Sequence, residues 1–129
     1  MKTMKKIMLV SITLLLFISV ANCQDNPELL IGKWKLDMSP QDQTDDNFAM
    51  MEIKSVKDNE MKGTFYREGV KLKEGQINTQ TDVIYGALMS SDNSGTYNST
   101  FYLKDGKLYG TTHAVDRGFL AVWVAEKEG

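Results

Sequence analysis

From Glu28 onward, apolar and polar residues alternate along the chain with a period close to two. Trp34, Leu36 and Met38 alternate with Lys33, Lys35 and Asp37, and Met51 and Ile53 with Glu52 and Lys54. Val70 and Leu72 alternate with Lys71 and Lys73, and Tyr97, Phe101 and Leu103 with Asn98, Thr100 and Lys104. Successive side chains of a strand point to opposite faces, so this pattern predicts strands with one dry and one wet face. Val83 to Met89 and Phe119 to Ala125 are apolar on both phases, which predicts strands covered on both sides or facing a partner. Outside the first 22 residues no stretch carries a helical period.

The breaks between these runs have their own chemistry. Asp58-Asn59, Glu68-Gly69, Asp92-Asn93-Ser94-Gly95, Asp105-Gly106 and Asp116-Arg117-Gly118 are turn clusters. Glycine supplies positive φ, and Asn or Asp tolerates it. Lys104-Asp105-Gly106-Lys107 is the strongest hairpin signal. The spacing predicts eight strands, over about 29–38, 48–56, 61–67, 70–77, 81–90, 96–104, 107–114 and 118–126. Short strands, tight turns and no crossover helix predict an all-β fold. The expected form is an antiparallel eight-stranded meander closed into a small barrel, with a two-sheet β-sandwich as the alternative. Closure removes exposed strand edges, and eight strands enclose room for side chains or one small ligand.

The first 22 residues change the picture. Lys2, Lys5 and Lys6 precede an apolar run from Ile7 to Ala21, broken only by Ser11, Thr13 and Ser19, and small residues follow. These are the three parts of an export signal. The run is shorter than the ~20 residues of a stable membrane span. The expected organisation is a signal peptide over 1–22, a polar tether over 23–28 and one barrel domain over 29–129. Val20-Ala21-Asn22-Cys23 resembles a bacterial lipobox, which implies lipidation of Cys23 and a lipid anchor in the cell envelope, periplasmic or at the outer membrane. Ordinary signal cleavage after Ala21 or just past Cys23, giving a released protein, stays open. The lone cysteine forms no intrachain disulfide. Without residues 1–22 the chain keeps 12 of its 15 basic residues and all 17 acidic ones, a net charge of about −5. That balance argues against nucleic acid and against electrostatic adhesion to anionic membrane.

Leu30-Ile31-Gly32-Lys33-Trp34-Lys35-Leu36 resembles the opening strand of the calycins, the lipocalin and avidin group, which begins with Gly-x-Trp. The resemblance implies a barrel with Trp34 at its floor and a basic side chain from near the last strand packed over the indole. Lys127 is the first candidate for that cation and Arg117 the second. The stretch from Met51-Glu52-Ile53 to Gly63-Thr64-Phe65-Tyr66 also resembles an avidin second and third strand. By the same resemblance, the polar stretch from Ser39 to Asn47 has the position of a loop over the barrel mouth; a solvated acidic loop is the other reading.

Candidate chemistry is sparse. Trp34, Phe65, Tyr85, Tyr97, Phe101 and Trp123 are spread over five strands and are expected to fill or line the interior. Tyr66, Tyr102 and Tyr109 fall on the opposite phase and suggest an outer aromatic surface. Strict alternation from Val70 and Leu72 turns Glu74 inward, where burial would raise its pKa. A strand end or bulge at Gly75 leaves it in water instead. His113 is the only histidine and has no partners in a recognisable motif. No cofactor, metal cluster or catalytic residue is indicated, and Asn98-Ser99-Thr100 reads as a chance sequon. The leading expectation is an exported binding barrel for a small apolar or amphipathic ligand. An envelope interaction or inhibitor module acting through its outer face is the alternative, and a small isomerase or hydrolase is the third reading.

Overall fold

The computed structural model describes residues 26–129. The proposed signal peptide, Cys23 and the start of the tether lie outside the described residues. A 3-10 helix, Pro27–Leu30, opens the described chain. Eight strands follow: β1 Gly32–Asp37, β2 Phe48–Lys57, β3 Glu60–Tyr66, β4 Leu72–Asn78, β5 Tyr85–Asp92, β6 Gly95–Lys104, β7 Lys107–Ala114 and β8 Phe119–Lys127. They form a closed antiparallel barrel in sequence order, with β1 pairing to β8.

The barrel is therefore present and the sandwich is excluded. Each predicted strand is found, with its ends displaced by a few residues. The first begins three residues late because Pro27, which fixes φ, opens the 3-10 turn that the sequence reading placed in the tether and first strand. The fifth begins at Tyr85, after a loop in which the Thr81 hydroxyl and the Val83 backbone bond one another. Two hairpins are closed by residue pairs at positive φ, Asp58-Asn59 (52°, 64°) and Asp105-Gly106 (52°, 77°). Both residues of a type I′ turn need this conformation.

Register turns the alternation into rows of inward side chains across β5 to β8. From one end to the other these rows are Ser90–Tyr97–Ala114–Phe119, then Leu88–Ser99–Thr112–Ala121, then Gly86–Phe101–Gly110–Trp123. In the third row large and small side chains interlock. A Cβ on Gly86 would overlap the Phe101 ring, and one on Gly110 would overlap the Trp123 ring. Leu103, Leu108 and Ala125 continue below, and Leu36, Met51, Ile53, Met61 and Phe65 face them from β1 to β3, all buried. Phe65 and Phe101 stand 6.3 and 6.4 Å from the Trp123 ring.

The 3-10 helix covers this packed end. Trp34 is 1 % exposed, and its indole N–H donates to the Leu30 carbonyl at 2.8 Å. The Lys127 ammonium lies 5.4 Å from the Trp34 ring centroid and donates to the Leu29 carbonyl at 2.6 Å. A side chain on Gly32, at φ 142°, would run into the Lys127 methylenes. Gly32, Trp34 and Lys127 thus form one unit. Arg117, at the other end, stacks 5.0 Å from Phe119 instead.

Candidate functional site

The end opposite the 3-10 helix is the mouth, where the β1–β2, β3–β4, β5–β6 and β7–β8 connections gather. A cavity of about 370 Å³ opens here, lined by Met38, Phe48, Ala49, Phe65, Tyr97, Ala114, Ala121 and neighbours. It exists because the first two inward rows carry Ser90, Ala114, Ser99 and Ala121 where the third carries Phe101 and Trp123. The volume is at the lower end of the range of small-molecule sites. Met38 and Asn47, the two ends of the β1–β2 loop, line the cavity and are joined by a backbone hydrogen bond of 2.9 Å. Between them the loop holds itself through Ser39–Asp45 and Thr44–Asp42 side-chain bonds while staying exposed.

At the rim, Asp92 gathers the polar groups. It accepts from the Tyr66 hydroxyl at 2.6 Å, from the Tyr97 hydroxyl at 3.3 Å and from the Ser94 backbone N–H at 2.8 Å. Arg67 lies 3.8 Å away and also packs over the Tyr66 ring. The Tyr66 hydrogen bond, with smaller contributions from Ser94, Tyr97 and Arg67, holds the Asp92 carboxyl below its ordinary 3.8. The same bond pushes the Tyr66 phenol above its ordinary 10.0. The cluster also stacks Tyr66 edge-on to Tyr97, at 5.3 Å between centroids.

Deeper, on the wall formed by β5 to β8, the interior is polar. The Trp123 indole N–H donates to the Thr112 hydroxyl at 2.9 Å, and the Thr112 and Ser99 hydroxyls share a bond of 2.7 Å. Ser90 is fully buried, and among the described residues its hydroxyl has no hydrogen-bond partner. The facing wall of Leu36, Met51 and Phe65 is apolar. Above Thr112 the cavity lining carries one charge, that of Arg117, and among the described residues Arg117 has no ion-pair partner.

Of the residues expected to face a ligand, Tyr97 and Phe65 line the cavity. Trp34, Phe101 and Trp123 lie in the packed half. Tyr85 does not face inward. It is 49 % exposed on the outer surface, because β5 turns Gly86 and Leu88 to the core and so leaves Tyr85 on the wet phase. Glu74 is also outside. The register of β4 against β5 shifts between Leu72 and Glu74, and this bulge resets the alternation so that Gly75 and Ile77 face the core. His113 is on the outer face of β7, with β5 and β6 between its strand and Glu74's, so the two are not brought into one pocket.

The expected outer aromatic surface also changes membership. Tyr66 leaves it for the rim cluster. Tyr85 joins Tyr102 and Tyr109 in one register row, with Tyr102 and Tyr109 stacked at 5.4 Å. The residues that sequence reasoning missed, Ser90, Ser99 and Thr112, did carry a signal. Each is a hydroxyl on the dry phase of its strand, in runs such as Tyr97-x-Ser99-x-Phe101. Among the described residues no group of three His, Cys, Asp or Glu side chains could hold a metal ion. Comparison with known protein families, curated proteins and solved structures gives no match.

Proposed function

We propose that this is an exported, calycin-like binding barrel of the cell envelope that holds a small amphipathic molecule in its mouth. The observation that carries the reading is the cavity of about 370 Å³ over a closed floor. It has an apolar wall on one side, hydroxyls on the other and, at the rim, an arginine with no ion-pair partner among the described residues. The unit of Gly32, Trp34 and Lys127 supports the calycin likeness, and the Lys-rich and apolar N-terminal pattern supports export, with Cys23 as the residue for a lipid anchor. Nothing brings a nucleophile, base and oxyanion donor together among the described residues, so binding is the better reading than catalysis.

The test is to fill the cavity. Ala121→Trp places an indole in the mouth, where space exists, and should leave a cooperative unfolding transition. The wild type should bind 1-anilinonaphthalene-8-sulfonate saturably at one site, and the variant should not. Equal binding by both proteins would sink the proposal. The outer row of Tyr85, Tyr102 and Tyr109, with Val122 57 % exposed beside it, favours a second reading as a protein-interaction module.

A further inference from the structure

The polar wall of the cavity has a hydrogen left over. Trp123 donates to Thr112, and the Thr112 and Ser99 hydroxyls are joined by a single hydrogen bond. Two hydroxyls carry two hydrogens, and one bond uses one of them. If Ser99 donates to Thr112, the Thr112 hydrogen is free. If Thr112 donates to Ser99, the Ser99 hydrogen is free. In either arrangement one donor remains, and among the described residues neither hydroxyl has another partner. Ser90, one row nearer the mouth, adds a buried hydroxyl that has no partner among the described residues. A buried donor left without an acceptor costs free energy, so a wall of this kind calls for an acceptor to fill it.

Thr112 lines the cavity and is 5 % exposed, so the acceptor for its hydrogen comes from whatever fills the cavity, and a ligand acceptor can take it there. Its charge can also be argued. Arg117, in the β7–β8 connection, is the lining's one cation and sits at the rim. An ionised carboxylate pushed down to Thr112 would lose its hydration without gaining a counter-charge, which is costly. An uncharged carbonyl accepts the free hydrogen without that penalty. We propose that the mouth cavity selects ligands bearing an uncharged carbonyl acceptor (a ketone, ester or amide on an apolar chain). They enter carbonyl first and accept the hydrogen of Thr112, the member of the pair that lines the cavity, while Ser99 donates to Thr112. This rests on the binding reading above, and deepens it by naming the ligand's polar end and its orientation.

Three probes of matched chain length separate the cases: decan-2-one, decane and decanoate, titrated into the purified protein. Decan-2-one should bind about tenfold more tightly than decane, the worth of one good hydrogen bond. The two indole N–H resonances supply the geometry. That of Trp123, bonded to Thr112, should shift on binding, and that of Trp34, bonded to Leu30 at the floor, should not. Thr112→Ser should keep the preference for the ketone. Ser99→Ala should keep it too, since it leaves the Thr112 hydrogen free. Thr112→Val should abolish it, because the Ser99 hydroxyl it leaves free is 1 % exposed and does not line the cavity, and its unchanged Trp34 resonance would show that the barrel remains folded. Equal affinity for decane and decan-2-one, or a bound ketone that leaves the Trp123 resonance in place, would overturn the inference. So would tightest binding by decanoate with Trp123 unmoved, which puts the polar head at Arg117. In those cases the binding reading survives. Failure of all three probes to bind would remove the binding reading itself, and this inference with it.

Discussion

The two halves of the barrel use the same strands in opposite ways. Read along β7 from floor to mouth, the inward residues are Leu108, Gly110, Thr112 and Ala114, and along β6 from mouth to floor they are Tyr97, Ser99, Phe101 and Leu103. Alternation is kept throughout. Size and polarity change within a single strand. In the floor half, glycines sit under aromatic rings so that Phe101 and Trp123 can fill the barrel's width. In the mouth half, small and hydroxylated residues leave a cavity. Binary patterning thus decides that a barrel forms, whereas the volumes on the inward phase decide where it is solid and where it is open.

The sharpest way to break this comparison is to swap bulk between the halves. Trp34→Ala should cost about 3–5 kcal/mol, the usual range for truncating a fully buried tryptophan, because it also orphans the Leu30 carbonyl and removes the surface under Lys127. Ala121→Val adds bulk in the mouth and should cost less than the ~1–3 kcal/mol of overpacking a tight core. Urea midpoints of the two variants measure the contrast. Comparable losses would mean that the mouth is packed as tightly as the floor.

A subtler change probes the interlocked row. Gly110→Ala adds one methyl group where its Cβ meets the Trp123 ring and, at 2.7 Å, the Thr100 carbonyl. The φ at this position is not positive, so the cost is steric alone. We expect about 1–3 kcal/mol and an altered Trp123 fluorescence. A neutral outcome would show that the ring can slide toward the cavity, so that the two halves are not mechanically separate.

Lys127→Met tests the floor's outer seal. The methionine keeps much of the stem that packs against Gly32, but removes the charge over Trp34 and the hydrogen bond to Leu29. A cation over an indole at an exposed site is worth about 0.5–1 kcal/mol, and the carbonyl bond adds about the same. The loss should come to about 1–2 kcal/mol, with faster amide exchange in the 3-10 helix. Exchange that quickens equally at the mouth would refute a seal confined to the floor.

The floor was legible in the sequence and the mouth much less so. Gly32-x-Trp34 and the basic residue at the end of the last strand are local features whose meaning survives folding, and they meet as expected. The eight strands were legible because alternation and Asp-Gly-type turns are also local. Glu74 and Tyr85 were harder because an inward phase can be carried along a strand only until a bulge or a late strand start resets it. The bulge at Leu72/Glu74 and the loop before Tyr85 depend on pairing with other strands. The Tyr66–Asp92 bond joins residues 26 apart in the chain, and no period announces it. The hydroxyls on the dry phase were visible, but their bonding depends on register between β6, β7 and β8.

The rim cluster gives the mouth a pH signature with an acid arm, whereas at the floor end the shifted group is Lys107, raised above its ordinary 10.5 chiefly by its hydrogen bond to Glu126. Asp92 is held below its ordinary 3.8 chiefly by the Tyr66 hydroxyl, so the folded state favours the carboxylate. Its contribution is present above that value and is lost as pH falls through the lowered one. Tyr66 is displaced the other way, above 10.0, by the same bond. Its contribution is present below that value and is lost as pH rises past it toward the raised one. Tyr66→Phe deletes the shared hydrogen bond and should therefore weaken both arms, while Ser94, Tyr97 and Arg67 still hold Asp92 part of the way down. Urea midpoints across pH should show wild type and variant differing most in the neutral plateau and converging at both extremes. Lys107 also titrates in the alkaline range in both proteins, so the difference between the curves, not either curve alone, isolates the rim. A constant offset at all pH values would mean that Tyr66 contributes only by packing against Tyr97, and the mouth would then differ from the floor in volume alone.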